Sequence, residues 1–131
     1  MNKVEVKVQR IRSYQTLIGQ SGRRRYRKPE YKAYIQEVSY QLARLKPIER
    51  NKKVGLHLHF KYHDRRKPDI DNARKPIQDI LEMSGKIIDD KHISSSATIE
   101  TFDHKESSIV IHLFALDDDY IQNEVERLRL D

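Results

Sequence analysis

The stretch Val54-Gly55-Leu56-His57-Leu58-His59-Phe60-Lys61-Tyr62 decides the fold. Large apolar side chains fall on every second position, with glycine, two histidines and a lysine between them. Successive side chains of an extended chain point to opposite faces, so this is a strand with one apolar and one polar face. Its apolar side calls for a cover of helices, while the other side tolerates solvent. The expected class is α/β of the α+β type.

Working outward toward the N-terminus, Val4, Val6 and Val8 alternate with Glu5 and Lys7, a second half-buried strand. Residues 10–28 lose all pattern. They hold Gly19, Gly22 and the run Arg23-Arg24-Arg25-Tyr26-Arg27-Lys28, and read as a long basic loop. Pro29 opens a helix, a place where its missing N–H costs nothing. Tyr31, Tyr34, Ile35, Val38, Leu42 and Leu45 follow at spacings of three and four, one apolar stripe that Pro47 ends. Tyr31, Tyr34, Ile35 and Val38 are assigned to the core.

Toward the C-terminus, Ala73, Ile77, Ile80, Leu81 and Ser84 mark a second helix ended by Gly85. Pro76 argues that it starts near Lys75 or begins with an irregular turn. Ile87-Ile88 reads as a short strand. Residues 98–102 and 109–114 look like a hairpin around Asp103-His104-Lys105-Glu106. Asp117-Asp118-Asp119 then caps a final helix carrying Ile121, Val125 and Leu128. The expected order is β-α-β-α-β-β-β-α: a single domain over residues 1–131, with a mixed sheet of about five strands and helices packed on it.

Composition narrows the partners. The 131 residues are 35% charged and 37% apolar, with a formal net charge of +6 and no cysteine. A small basic domain points to polyanions, with nucleic acid first. Disulfides and thiolate metal sites are excluded, which fits a reducing cytoplasm. No apolar run approaches the roughly 18 residues that span a bilayer. The first ten residues lack the apolar stretch of a signal peptide. The expectation is a soluble cytoplasmic protein with no membrane partner.

The chemistry is concentrated after the strand. Asp69-Ile70-Asp71-Asn72 follows the basic run Arg65-Arg66-Lys67, Lys75 stands four residues beyond Asp71, and Asp89-Asp90 comes a helix later. Asp69 and Asp71 share a face if extended, and Asp71 and Lys75 share one if helical. A helix–turn–strand path can return Asp89 or Asp90 to that place. Three carboxylates favour Mg²⁺, with Mn²⁺ as a substitute, and leave open positions for water and a phosphate oxygen. Lys75 could then stabilise the transition-state charge. The same residue types also suit a solvated helix start with a chance acidic turn. An aspartyl-phosphate motif would need an apolar strand directly before Asp69, where Arg65-Arg66-Lys67-Pro68 stands. Ala73 and Arg74 break the EF-hand pattern.

The block Asp64-Arg65-Arg66-Lys67-Pro68-Asp69-Ile70-Asp71-Asn72, then Lys75, Asp79-Ile80-Leu81, Gly85 and Ile88-Asp89-Asp90, resembles the RusA family of Holliday junction resolvases. That family shows D-[LI]-D-N-x-x-K, a D-[AI]-L helix end and an apolar-D-D turn at this spacing. The resemblance implies a homodimeric, Mg²⁺-dependent crossover junction endodeoxyribonuclease. Such an enzyme serves DNA recombination and repair by cutting four-way DNA junctions with paired symmetric nicks, leaving 5′-phosphate ends. Carried over residue by residue, Asp69, Asp71 and Asp90 match the metal-binding carboxylates and Lys75 the catalytic lysine. Asp89 matches a neighbouring acid with no assigned role. The resemblance assigns no role to individual residues of the basic loop.

Two basic runs are DNA-binding candidates: Arg23, Arg24, Arg25, Arg27 and Lys28, with Tyr26 able to stack on a base, and Arg65, Arg66 and Lys67, which flank the acidic motif. His57, His59 and His63 share a polar strand face. H-x-H can bind zinc, but no cysteine or second histidine pair completes a site, so a DNA-facing or solvated surface is the reading. His92 is read as a turn residue at the surface. A dimer face falls to either the first or the last helix. The rivals to a resolvase are a non-catalytic DNA-binding module and a nuclease for other branched DNA.

Overall fold

The computed structural model describes residues 1–129. Its centre is the alternating strand. With β1 at Lys3–Lys7, β4 at Lys53–Lys61, β5 at Ile93–Thr101 and β6 at Ser108–Leu116, the main sheet runs β1-β6-β4-β5. Val54, Leu56, Leu58 and Phe60 of β4 are buried, as are Ile109, Ile111 and Leu113 of β6. They meet Tyr31, Tyr34 and Val38 of helix α2 (Pro29–Ser39) and Ile77, Ile80 and Leu81 of helix α3 (Ile70–Met83) in one core. His57, His59, His112 and Phe114 lie on the other, half-exposed face. The class is mixed α+β, as expected, with four strands in the main sheet.

β4 pairs antiparallel with β6 and parallel with β5. A parallel pair needs a long crossover, and α3 is that crossover. The expected hairpin of residues 98–102 with 109–114 does not form, because β4 lies between the two strands. Polarity sorts them: β6 places Ile109, Ile111 and Leu113 in the core, while Ile-Ser-Ser-Ser-Ala-Thr-Ile-Glu-Thr has little to bury and takes an edge. The short connection instead arches over the chain leaving β4. Tyr62 N–H donates to Thr101 O at 2.9 Å, His104 N–H donates to Tyr62 O at 3.0 Å, and Asp103 turns the arch with φ at 63°.

Three other segments differ from the sequence reading. Residues 10–28 are structured: helix α1 (Tyr14–Leu17) leads into a hairpin of β2 (Ile18–Ser21) and β3 (Arg24–Arg27). Gly22 supplies the left-handed φ of +62° at its tip, and Gly19 lies under the Tyr26 ring, where a Cβ would come within 2.3 Å. α2 stops at Ser39, short of Leu42 and Leu45, which stay buried in the turn beyond it. There Gln41 bonds both Lys7 N–H (2.8 Å) and Lys7 O (2.7 Å), sealing the edge of β1. Ile87-Ile88 is a turn rather than a strand: Lys86 N–H returns to Leu81 O at 2.9 Å to close α3, while Ile87 plugs the core. α3 itself begins earlier than Pro76 suggested. The proline sits buried in its second turn, where the cost is the single hydrogen bond that Asn72 O would have accepted. The last helix, α4 (Asp118–Arg127), is capped as expected: Tyr120 N–H donates to Asp117 Oδ1 at 2.7 Å.

Candidate active site

α3 is amphipathic in a way that separates core from chemistry. Ala73, Pro76, Ile77, Ile80 and Leu81 are buried. Asp71, Lys75, Asp79 and Glu82 recur at spacings of four, four and three, which places them on one face. Lys75 Nζ lies 3.0 Å from Asp79 Oδ1 and 3.4 Å from Asp90 Oδ2. The hydrogen bond to Asp79 pushes the ammonium's pKa up against the opposing pull of partial burial, and Asp90 adds to the rise. Lys75 is a fixed cation in an acidic setting.

Asp90 opens a 3-10 turn (Asp90–His92) and Asp89 caps it, its Oδ1 accepting Lys91 N–H at 2.9 Å. That backbone hydrogen bond, with the Asp90 side chain beside it adding to the effect, holds the Asp89 carboxyl below the usual range. Among the described residues, Glu82, Asp89 and Asp90 form the one set of three acidic groups whose oxygens lie within 4.8 Å of one another. An all-oxygen set of this kind suits a hard divalent cation such as Mg²⁺ or Mn²⁺. Glu82 was missed in the sequence, although its spacing of seven from Lys75 puts it on the same helical face.

Asp69 and Asp71 stand exposed at the start of α3, outside that set of three. Asp69 occupies the N-cap position, yet its carboxylate makes no capping bond, unlike Asp117 on α4. The reading of Asp69 as a plain helix cap therefore lacks its bond, and the carboxylate faces solvent. Asp71 lies one turn before Lys75.

The cations around this helix differ in their partners. Arg65 pairs with Asp103 (3.1 Å) and lies 5.4 Å from the Phe102 ring centroid, Arg66 pairs with Asp64 (3.0 Å), and Lys67 pairs with Glu100 (3.2 Å). Arg66, Lys67 and Asp69 line a cleft of about 630 Å³ that also touches Arg10, Gln15 and Asn72. On the hairpin, Arg23, Arg24, Arg25 and Arg27 are exposed and Lys28 half-buried; among the described residues these five make no ion pair. Arg27 lies 5.9 Å from the Tyr31 ring centroid.

The histidine face organises differently from a zinc site. His57 and His112 sit opposite each other across β4 and β6, edge to face at 5.9 Å, and Phe114 packs on both. Thr101 Oγ1 joins His59 (2.8 Å) to His104 (2.6 Å). None of these histidines belongs to a three-ligand metal group among the described residues. His92 is half-buried beside the acidic pair. No helix among the described residues is long and apolar enough to cross a membrane.

A family model described as "Endodeoxyribonuclease RusA" matches residues 5–113. The match spans β4, α3 and the 3-10 turn, and so every residue of the acidic face. No curated protein matches the chain.

Proposed function

The chain belongs to the RusA endodeoxyribonuclease family, and we propose that it resolves Holliday junctions as a Mg²⁺-dependent endonuclease making paired, symmetric nicks. The observation that carries the reading is Lys75 held between Asp79 and Asp90 at the edge of a carboxylate cluster. A cation amid carboxylates, flanked by basic loops, suits a site that brings a polyanion to a metal.

Asp90 is the metal ligand common to the motif and to the observed cluster. Asp69 and Asp71 supply the other ligands from the helix start, as the family resemblance implies, and Glu82 and Asp89 deepen the negative site beside them. A divalent cation held there would supply an activated water and offset the charge of the scissile phosphate. Lys75 donates to a phosphate oxygen as negative charge grows there. Arg66 and Lys67 hold the strand along the cleft beside Asp69. Arg23, Arg24, Arg25, Arg27 and Lys28 take the backbone of an adjoining arm.

Two equivalent strands call for two equivalent sites, hence a homodimer. The apolar stripe of α2 is spent on the chain's own core, whereas Val125 and Leu128 at the end of α4 are 54% and 76% exposed. This favours α4 as the dimer face. The test is cleavage of a synthetic mobile four-way junction with and without Mg²⁺, beside a linear duplex and a flap. Symmetric, Mg²⁺-dependent nicks in the junction alone are expected. Equal cutting of the flap would make the enzyme a nuclease for branched DNA in general, and binding without cutting would make it a DNA-binding module.

A further inference from the structure

Asp79 takes no part in the chemistry assigned so far to Asp69, Asp71, Asp90 and Lys75. We propose that Asp79, anchored by Tyr31, is the positioning residue that aims the Lys75 ammonium at the scissile phosphate; this rests on the role given to Lys75 above.

A lysine ammonium on its flexible four-carbon stem has no preferred direction of its own. Here it has two fixed carboxylate partners, an ion pair with Asp79 Oδ1 at 3.0 Å and a hydrogen bond to Asp90 Oδ2 at 3.4 Å. An ammonium carries three N–H donors, so one remains for a phosphate oxygen. Asp79 is itself held from the other side, because its Oδ2 accepts the Tyr31 hydroxyl at 3.1 Å. Tyr31 comes from α2, is 1% exposed, and meets the Tyr14 ring edge-on at 6.4 Å. The two oxygens of one carboxylate thus join the core to the ammonium. Burial, with the Asp79 charge adding to it, pushes the Tyr31 phenol up, so it stays a donor wherever the enzyme works.

Helix stability does not account for the arrangement. A lysine placed before its acidic partner at i,i+4 is the less favourable order on a helix. Both side chains are partly exposed, where such a pair contributes little. A tyrosine hydroxyl directed at Asp79 from a second helix is explained by the need to fix direction.

The test is a cycle of variants in full-length protein, reading single-turnover junction cleavage in Mg²⁺ and junction affinity in Ca²⁺. Asp79→Asn keeps an acceptor for Tyr31 and removes the charge that holds Lys75. It should slow cleavage by about tenfold or more, the scale of a misplaced catalytic group, with affinity within about twofold of wild type. Asp79→Glu should recover part of that rate. Tyr31→Phe keeps the ring in the core and should give a smaller loss in the same direction, and it carries the test if Asp79→Asn fails to fold. In a Lys75→Met background, itself slowed by roughly a hundredfold, neither change should cost anything further, because a positioning residue acts only through the group it positions. Full multiplication of the two losses overturns the role of Asp79 and leaves that of Lys75 standing. Wild-type cleavage by Asp79→Asn also overturns it. Wild-type cleavage by Lys75→Met overturns the assignment of Lys75 itself, and this inference with it.

Discussion

The β2–β3 hairpin and the surroundings of α3 are both crowded with charge, and they use it in opposite ways. On the hairpin, four arginines project into solvent with no carboxylate partner among the described residues. Around α3 the cations of the acidic motif and the loop before it rest on acids: Arg65 on Asp103, Arg66 on Asp64, Lys67 on Glu100, Lys75 on both Asp79 and Asp90. Open charges act at long range and are screened by salt, so they gather and orient a polyanion. Locked charges have a defined direction, which chemistry at one phosphate requires. Counting positive charges along the chain would rank the two regions alike.

The largest effect should come from the locked side. Asp71→Asn is expected to leave the fold and junction binding intact and to abolish cleavage, binding even tightening slightly as a negative charge leaves the phosphate path. Junction cutting at the wild-type rate would remove Asp71 from the site and shift attention to Glu82, Asp89 and Asp90. Next comes the open side. Arg23→Ala, Arg24→Ala and Arg25→Ala combined should weaken binding, and the slope of log K against log salt should fall by about 0.9 for each phosphate that is no longer neutralised. The loss should appear in KM rather than kcat. An unchanged slope would make the hairpin a solvated ornament and send the DNA over the loop at residues 63–68.

A smaller effect sharpens the contrast. Arg66→Ala removes a cation already paired to Asp64, so its effect on the salt slope should fall below that of an open arginine such as Arg24→Ala. Equal slopes would show that the Asp64 pair opens when DNA binds. The smallest effect belongs to the histidine face. Burial lowers the pKa of His59 and His112 below the usual 6.5, with Lys61 and His104 adding to the first and His57 and Lys3 to the second. The unfolded chain therefore takes up protons first, and stability is complete above 6.5 and declines as the pH falls below it. Thermal unfolding from neutrality to about pH 5 should show that decline, and His59→Gln with His112→Gln should flatten it.

Much of this was legible from residues alone because it depends on short-range rules. The alternation from Val54 to Tyr62, the Ile77, Ile80 and Leu81 stripe and the aspartate cap at Asp117 each follow from side-chain period or a local hydrogen bond. The acidic motif around Asp69, Asp71 and Lys75 is local too, and its spacing points to the same family that the match over residues 5–113 identifies. Tertiary structure decided what involves partners distant in sequence. Strand order is one such case: residues 98–102 and 109–114 have hairpin spacing, but β6 had a better apolar face to give β4 and took the centre. The hairpin within residues 10–28 is another, its short strands too polar to leave a periodic signal and fixed by Gly19 beneath Tyr26. The last is the hold on Lys75. Four residues of helix bring Asp79 within reach, but Asp90 arrives only when the chain turns back after α3, and Tyr31 only when α2 packs against it. Period and local hydrogen bonds are written in neighbouring residues, whereas the direction of a side chain is set by whatever the rest of the fold brings beside it.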